Sequence, residues 1–354
     1  MQAHPVLVEA LRGGSVESLH RGAYAVVDAD GRVVDACGDI ERPVFPRSAI
    51  KVLQALPLVA SGAADALGLG DEELALACAS HGGEAMHVST AAGMLAKAGL
   101  DATALECGAH RPYNDAAFEA LAAAGASPSA LHNHCSGKHS GFVCLGCLMA
   151  RQAGRDAREF VRGYVAPGHP VMREVTAAIA AATGFDLATA ARGTDGCSIP
   201  TYAIPLRHLA HAFARVATGH GLSPTYARAA RRLRAAVARA PQMVAGSGRF
   251  DSRVMALLGE RVFCKVGAEG MYCAALPAQG LGVAVKIDDG NTARACEVVM
   301  AALIGARVAL DEREAAIVGE LADAPLRNWN GIEVGRLRAA PSWASALPGH
   351  ARAH

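Results

Sequence analysis

The chain has 354 residues, of which 52% are hydrophobic and 19% are charged. This length allows one large domain or two or three smaller ones, and the apolar content excludes a disordered chain. The formal net charge is +1, and no basic stripe is visible along the sequence. These properties argue against nucleic acid or an anionic membrane surface as a partner, so we expect a small-molecule partner.

The N-terminus, MQAHPVLVEALRGG, has no basic segment followed by a long apolar run, which predicts that there is no signal peptide. The apolar run at 142–150 is too short to span a bilayer. We therefore predict a cytoplasmic protein with no membrane partner. The ten cysteines of such a protein are expected to be mostly reduced.

The predicted elements change in character along the chain. The segment 22–37 has β-branched runs on both sides of the turn 28–31 (DADG), which predicts a hairpin. From about Glu72 to Ala240 the sequence is rich in Ala, Leu and Arg with helical spacing. The clearest predicted helices are 156–165, 172–183 and 224–240, and a strand-like piece lies at 198–203. The predicted elements that follow are strands at 261–266, 271–275 and 281–287 and a helix at 292–309.

Strands at both ends with helices between them predict an α+β fold. We expect a mostly antiparallel sheet from the N- and C-terminal segments, packed with a helical lobe. The predicted organisation is a single domain of two lobes. Residues 1–70 and 241–330 would form the sheet lobe, 71–240 the helical lobe, and 331–354 a surface tail.

Lysine is scarce in this chain. Only five of the 34 basic residues are lysines, at positions 51, 97, 138, 265 and 286. An ordinary solvated cation can be arginine, whereas only lysine offers an amine that can lose its proton near neutral pH. The lysines that lie inside polar motifs are therefore candidates for chemistry.

The first such motif is PRSAIK at 46–51. Ser48 and Lys51 are three positions apart at a predicted helix start, so their side chains can meet on one face. A desolvated lysine with a lowered pKa can take the proton of a serine hydroxyl and make it nucleophilic. The alternative is a helix-capping serine beside a surface lysine.

Two further motifs place polar groups beside glycines. The segment SHGGE at 80–84 follows an apolar run, and its glycines would let a ligand approach the backbone and its N–H groups. The alternative is a glycine-rich turn with an incidental serine. The segment CKVGAEG at 264–270 places Lys265 at a predicted strand end, and the alternative there is a tight hairpin with an exposed lysine.

Histidine and cysteine concentrate in the segment HNHCSGKHSG at 132–141. This content indicates a metal site, which would need a further ligand such as the segment Asp195-Gly196-Cys197. The alternative is a His-rich loop with a buried thiol. The pair Cys144-x-x-Cys147 has wholly apolar flanks, which favours packing over redox or metal chemistry.

Together, and in this order, these motifs resemble those of the asparaginase II family of the Rhizobium etli type, which is related in fold to serine β-lactamases and glutaminases. The resemblance extends over about residues 5–330, with TDGC at 194–197 among its motifs. It implies a β-lactamase/glutaminase-like fold and a homodimer. The implied reaction is hydrolysis of the side-chain amide of L-asparagine to L-aspartate and ammonia.

The resemblance also implies residue roles. It implies two Ser-Lys pairs, Ser48 with Lys51 and Ser80 with Lys265. It further implies a zinc ion with a structural or substrate-positioning role. The implied zinc ligands are Cys135, Lys138 and Cys197. The candidates for substrate and oxyanion binding are Arg47, His81, Gly82, Gly83, Asp195, Ala268 and Glu269.

Three alternatives stay open beside L-asparaginase activity. The substrate of a glutaminase is longer than asparagine by one methylene group. A pocket can discriminate such a difference by only about 1–3 kcal/mol. A β-lactamase or D-amino-acid peptidase-like serine hydrolase would share the Ser-Lys chemistry, although Val266 stands where β-lactamase relatives commonly have Thr. A non-catalytic zinc- or amino-acid-binding protein would bind ligand without turnover.

Overall fold

The structure is a computed structural model that describes residues 3–348. Its strands are β1 (Val6–Arg12), β2 (Ser15–Asp28), β3 (Val33–Cys37), β4 (Pro43–Val44), β5 (Arg192–Thr194), β6 (Pro200–Tyr202), β7 (Ile204–Pro205), β8 (Phe263–Val266), β9 (Met271–Leu276), β10 (Leu281–Ile287), β11 (Asp323–Arg327) and β12 (Glu333–Ala339). Its α-helices are α1 (Lys51–Ala60), α2 (Ala63–Ala66), α3 (Asp71–Ala77), α4 (Ala85–Lys97), α5 (Asp115–Ala123), α6 (Ser136–Gln152), α7 (Ala157–Val161), α8 (Pro170–Thr183), α9 (Leu206–Thr218), α10 (Pro224–Arg239), α11 (Gln242–Ala245), α12 (Phe250–Leu258), α13 (Glu297–Gly305), α14 (Glu312–Ala322) and α15 (Pro341–Ala344).

The chain divides into a sheet unit and a helical unit. The sheet unit comprises the residues up to Ala49, Ile204–Ala217 and the residues from Cys264 onward. The helical unit comprises Ile50–Ala203 and Thr218–Phe263. The helical unit therefore includes residues 50–70 and 241–263, which the sequence assigns to the sheet lobe, and it lacks 204–217.

One antiparallel sheet dominates the sheet unit. Its strand order is β11-β12-β1-β2-β10-β9-β8, and β3 pairs with β2 outside this path. Strand β9 is buried at every position, which agrees with its continuous apolar sequence. The sheet confirms the predicted α+β class and the joining of N- and C-terminal strands, and the β2–β3 pairing confirms the predicted hairpin.

A helix approaches the sheet closely at one glycine. A Cβ atom on Gly282 of β10 would overlap the backbone of α9 at Ala210 and Phe213. Only glycine leaves room for this contact. Helix α9 buries Leu209 and Phe213, so it covers part of the sheet with apolar side chains.

The predicted surface tail at 331–354 is wrong over its described part. Strand β12 lies between β11 and β1, where it pairs antiparallel with both. Trp343 is buried, and its indole N–H donates to the carbonyl oxygen of Leu7 at 2.6 Å. The prolines of this segment indicated a loose tail, but backbone pairing with β1 outweighs their local preference. Residues 349–354 lie outside the described part.

Helix α6 is the centre of the helical unit. It is buried over most of its length and packs against α1, α3, α4 and α8. A Cβ atom on Gly137, in its first turn, would overlap the side chain and carbonyl oxygen of Leu76 in α3. This glycine therefore allows the start of α6 to lie against the end of α3, just before Ser80.

The predicted helices of this unit are mostly confirmed. The predictions at 172–183 and 224–240 correspond to α8 and α10. The prediction at 156–165 is too long, because α7 ends at Val161 and Gly163 adopts a φ of +76°. Within residues 3–348, no helix combines the length and apolar character that crossing a bilayer requires.

We expect Gly137→Ala to destabilise the protein by about 1–3 kcal/mol, because the added methyl group must displace the backbone of Leu76. Gly93→Ala is the matched control, since Gly93 lies in α4 with open space around its Cβ position. The control should be neutral or stabilise by up to about 1 kcal/mol through helix propensity. Urea unfolding of both variants measures the two free energies, and equal effects would contradict the close approach.

Candidate active site

Lys51 is a fully buried cationic residue of the helical unit. It is the first residue of α1, and its side chain is 0% exposed. Its Nζ donates to Ser80 Oγ at 2.9 Å, to Cys135 Sγ at 3.1 Å and to the carbonyl oxygen of Ala79. The amine is thus held between a hydroxyl, a sulfur and a backbone carbonyl.

Burial lowers the pKa of Lys51, although the nearby Cys135 sulfur opposes this shift. A lysine with a lowered pKa is more easily neutral, and a neutral amine can accept a proton. Ser80 Oγ lies at hydrogen-bond distance from that amine. Lys51 and Ser80 therefore have the geometry of a general base and the serine that it activates.

This contact differs from the pairs that the resemblance implies. There Lys51 belongs with Ser48, and Ser80 belongs with Lys265. The two implied pairs stay predictions, whereas the contact of Lys51 with Ser80 is an observed feature of the helical unit.

Backbone hydrogen bonds hold the loop that carries Ser80. Helix α3 ends at Ala77, after which the Ser80 N–H donates to the carbonyl oxygen of Val244 at 2.8 Å. The His81 N–H donates to the carbonyl oxygen of His134 at 3.2 Å. Ser80 is therefore fixed at its own backbone, and it is half-buried.

The next residue, His81, is buried and uses both ring nitrogens. Nδ1 accepts the Gly83 N–H at 3.2 Å, so in the neutral ring Nε2 carries the proton and donates to Ser136 Oγ at 2.9 Å. Burial lowers the pKa of His81 well below its ordinary value, which favours this neutral ring. The predicted substrate contacts of His81 and of the Gly83 N–H would each require one of these bonds to break.

His87 supports His81 from α4. The two rings stack with centroids 4.7 Å apart and planes 16° apart. The Glu84 N–H donates to Nδ1 of His87 at 3.2 Å, and Nε2 donates to the carbonyl oxygen of Gln242 at 3.1 Å. The pair links the loop after α3 to the first residue of α11.

The two cysteines and the lysine predicted to hold a metal lie together. Cys135 is the N-cap residue of α6, and Lys138 lies in the first turn. Lys138 Nζ donates to Cys197 Sγ at 3.0 Å, and the Cys197 thiol donates to the Cys135 sulfur. Lys138 is only 2% exposed. Two sulfurs and an amine nitrogen from distant parts of the sequence therefore converge beside Lys51.

Charge within this cluster shifts its pKa values in opposite directions. The hydrogen bond from Cys197 and the fields of Lys138 and Lys51 lower the pKa of Cys135 well below its ordinary value, despite burial. The same hydrogen bond, together with burial, raises the pKa of Cys197. Burial alone would lower the pKa of Lys138, but the sulfur charges outweigh burial and raise it. Without a metal, these directions favour a thiolate at Cys135 and an ammonium at Lys138.

A tight turn brings Cys197 to this cluster. The Asp195 N–H donates to the carbonyl oxygen of Ile199 at 2.8 Å, and Ser198 adopts a φ of +77° inside the turn. The Asp195 carboxylate accepts the Gly196 N–H at 2.7 Å, and its charge acts on both Lys138 and Cys197. Asp195 therefore lies near the cluster, and its substrate or metal contact stays a prediction.

Two cysteine sulfurs and one lysine nitrogen are an unusual set of metal donors, but they suit a soft divalent cation. Among residues 3–348, no three His, Cys, Asp or Glu side chains are grouped so that they could hold a metal ion. A metal at this cluster would bind the sulfurs of Cys135 and Cys197 and the nitrogen of Lys138 after that amine loses its proton. Thiolate and neutral nitrogen are donors that Zn²⁺ accepts, so the residues fit the predicted ion.

Five of the predicted site residues lie in the sheet unit, whereas Gly82 lies in the helical unit, where its carbonyl oxygen accepts the Asn114 N–H at 2.9 Å. Arg47 and Ser48 lie in a 3₁₀ turn, Arg47–Ile50, with a φ of +51° at Arg47. A Cβ atom on Gly267 would be 2.8 Å from the carbonyl oxygen of Pro46, so the turn lies against the end of β8. Both Arg47 and Ser48 are half-buried.

Lys265 is completely buried in β8, at 0% exposure, and donates to the carbonyl oxygen of Val266 at 2.8 Å. The alternative of an exposed hairpin lysine is therefore wrong. Ala268 and Glu269 follow in the turn to β9, where Ala268 is half-buried and Glu269 is exposed with a φ of +59°. Their predicted substrate contacts stay predictions.

Two residues beside the cluster, His139 and Tyr164, have no role predicted from the sequence. His139 follows Lys138 in α6, and its Nδ1 lies 2.6 Å from the hydroxyl of Tyr164. Both side chains are 0% exposed. The signal for His139 was its place in the dense motif at 132–141, whereas no local pattern marks Tyr164.

The comparisons with known proteins point to one family. The family model described as L-asparaginase II matches residues 8–339. No curated protein gives a significant match. A β-lactamase structure from Mycobacterium bovis is 16% identical, covers 80% of this chain and 93% of that chain, and has a TM-score of 0.42. The structure of Mglu in its native form is 18% identical, covers 82% of this chain and 66% of that chain, and has a TM-score of 0.37.

We expect metal-free protein to contain a thiolate at Cys135 near neutral pH. Thiolate absorbance at about 240 nm should therefore be lost as pH falls through a midpoint below about 8.5, the ordinary thiol value. Cys135→Ala should remove this transition. Cys144→Ala is the control and should retain it, because burial raises the pKa of Cys144. A transition that survives in Cys135→Ala would assign the thiolate elsewhere.

Proposed function

Because the chain belongs to the L-asparaginase II family, we propose that it is an L-asparagine amidohydrolase that works by serine-lysine chemistry. The observation that carries the proposal is the buried Lys51 amine at 2.9 Å from Ser80 Oγ. Family membership supports an amidohydrolase acting on a small molecule. The geometry supports a serine nucleophile with lysine as its base.

In this mechanism neutral Lys51 takes the proton of a serine hydroxyl as the oxygen attacks the amide carbon. The resulting ammonium then returns that proton to the leaving nitrogen, which departs as ammonia and leaves an acyl-enzyme. Water, deprotonated by the same amine, attacks the ester, and the serine regains its proton. One residue thus acts as base and acid in each half of the reaction.

Two serines compete for the role of nucleophile. The hydrogen bond to Lys51 favours Ser80. Ser48 remains the alternative from its spacing to Lys51 and from the family motif, with Ser80 and Lys265 then forming a second relay. We propose that both serines are essential, and that Ser80 is the one whose proton Lys51 takes.

The metal cluster has a separate proposed role. We propose that Cys135, Lys138 and Cys197 bind zinc and that the ion, when bound, orders the α6 N-terminus and helps to position the polar groups of the substrate. The serine-lysine pair already supplies a nucleophile. We also propose that the protein is cytoplasmic and forms a homodimer, as the family resemblance supports. Light scattering on the purified protein would test the homodimer.

We expect the purified chain to release ammonia from L-asparagine, and to favour it over L-glutamine by about 10- to 200-fold if one methylene decides the choice. Ser48→Ala, Ser80→Ala and Lys51→Met should each lower kcat on the order of 10³-fold or more, because such groups act as a unit. The control Ser89→Ala changes an exposed hydrogen bond in α4 and should be near wild type. Near-full turnover by Ser80→Ala would exclude its proposed role.

A diazoketone analogue of asparagine distinguishes the two serines. The labelled serine is identified by mass spectrometry of the peptides that contain residue 48 or residue 80. Hydrolysis of a chromogenic β-lactam in place of asparagine would instead favour the β-lactamase or peptidase alternative. Binding of L-asparagine without ammonia release would favour the non-catalytic alternative.

We expect the protein to bind about one zinc ion per chain, since one set of three protein ligands holds one ion and leaves a fourth position open. Cys197→Ser and Lys138→Met should each lower the zinc content measured by elemental analysis. Cys147→Ser is the control, because Cys147 lies in α6 among apolar neighbours and belongs to the alternative C-x-x-C pair. Zinc lost from Cys147→Ser but retained by Cys197→Ser would move the metal to that pair.

A further inference from the structure

Among the buried histidines near Lys51, His139 differs in its hydrogen bonding. Both ring nitrogens of His81 and of His87 have protein partners. In the described part of the chain, Nε2 of His139 is buried and has no hydrogen-bond partner. A buried polar atom left in this way costs about 1–3 kcal/mol, so it calls for a physical reason.

The hydroxyl of Tyr164 determines which nitrogen of His139 carries the proton. That hydroxyl accepts the Glu106 N–H at 3.0 Å, and among the described residues Nδ1 of His139, at 2.6 Å, is the acceptor within reach of its own proton, so we infer that the hydroxyl donates to Nδ1. Because Nδ1 accepts, the proton of the neutral imidazole is on Nε2. The unpartnered atom is therefore a donor.

Glu106 holds both Tyr164 and the residue before it, Gly163. The Glu106 N–H donates to the Tyr164 hydroxyl, and a Glu106 carboxylate oxygen accepts the Gly163 N–H at 2.7 Å. The Tyr164 side chain is 0% exposed, so its hydroxyl cannot exchange this arrangement for water. The protein thus holds His139 in one tautomer.

The surroundings of His139 connect it to the candidate site. It occupies the first turn of α6, next to Lys138 and one turn from Cys135. The charged groups whose fields act on its ring include Lys138, Cys135 and Lys51. A buried N–H donor therefore lies in the same helical turn as Lys138 and one turn from Cys135, which contacts Lys51.

We propose, resting on the amidohydrolase function above, that His139 donates its Nε2–H to an oxygen of the bound substrate and that Tyr164 is the positioning residue that fixes this tautomer. The oxygen belongs to a carboxylate or to the carbonyl of the amide under attack. A neutral donor suits this place because it adds no further positive charge beside Lys51, Lys138 and the proposed zinc ion. No proton transfer by His139 is required.

The kinetic test compares side chains that differ in where they place a donor. At position 139, the amide nitrogen of a glutamine side chain would occupy the position of the histidine Nε2. The amide nitrogen of the shorter asparagine would reach only the position of Nδ1. We expect His139→Asn and His139→Leu to lose about 10- to 100-fold in kcat/KM, and His139→Gln to recover most of that loss. A rise in KM alone identifies a carboxylate contact, and a fall in kcat identifies a contact to the developing oxyanion. Equal damage in all three variants, or none, would overturn the proposal.

A spectroscopic measurement keeps the test valid if a variant folds poorly. With isotope-labelled histidine, nuclear magnetic resonance should show His139 as the Nε2–H tautomer in the wild-type chain, and L-aspartate should shift that proton. Tyr164→Phe should mix the tautomers and weaken the response. Tyr24→Phe is the matched control, because it removes another buried hydroxyl, one that donates to Asp35 in the sheet unit.

The outcomes separate this proposal from the function on which it rests. If His139→Leu releases ammonia normally, and L-aspartate does not shift the Nε2 proton of His139 in the wild-type chain, the role of His139 is rejected. The proposed amidohydrolase function would still stand. Failure of the wild-type chain to release ammonia would reject the proposed function directly. Loss of the Nε2 proton on addition of zinc would show that His139 is a metal ligand and would overturn the donor role.

Discussion

The burial of Lys51 is the constraint on which the rest of the candidate site depends. An ammonium group removed from water is unfavourable unless it is hydrogen-bonded or loses its proton. Here Ala79, Ser80 and Cys135 provide the acceptors, and they come from two segments far apart in sequence. The end of α3 and the start of α6 must therefore meet at the first residue of α1.

Small residues allow that meeting. Gly137 lets the first turn of α6 lie against the backbone of Leu76, and Gly141 brings the next turn close to Leu58 of α1. The stacked rings of His81 and His87 then hold the loop after Ser80 from its other side. In these segments glycine, which the sequence suggests for ligand contact, also provides close packing of helix against helix.

The sequence predicts the fold class well because periodicity and β-branched runs are local signals. It also predicts that Cys135, Lys138 and Cys197 belong together, although through a family pattern and not through spacing. It does not predict the contact of Lys51 with Ser80, because helix spacing points to Ser48 and only tertiary packing brings residue 80 to residue 51. For the same reason Tyr164 could not be connected with His139. Strand β12 was missed because its pairing with β1 joins opposite ends of the chain.

The scarcity of lysine acquires a physical meaning in the structure. Lys51, Lys138 and Lys265 are buried at 0%, 2% and 0% exposure, whereas Lys97 is partly exposed in an ion pair with Glu73. Arginine could replace an exposed cation such as Lys97, but its broad guanidinium stays charged and would not fit between a hydroxyl and a sulfur. At Lys51 burial lowers the pKa, and at Lys138 a bound metal would displace the proton, so each compact amine can serve as a neutral nitrogen. That property is what a base for serine and a nitrogen ligand for zinc have in common, and it explains why both proposed roles fall on lysines.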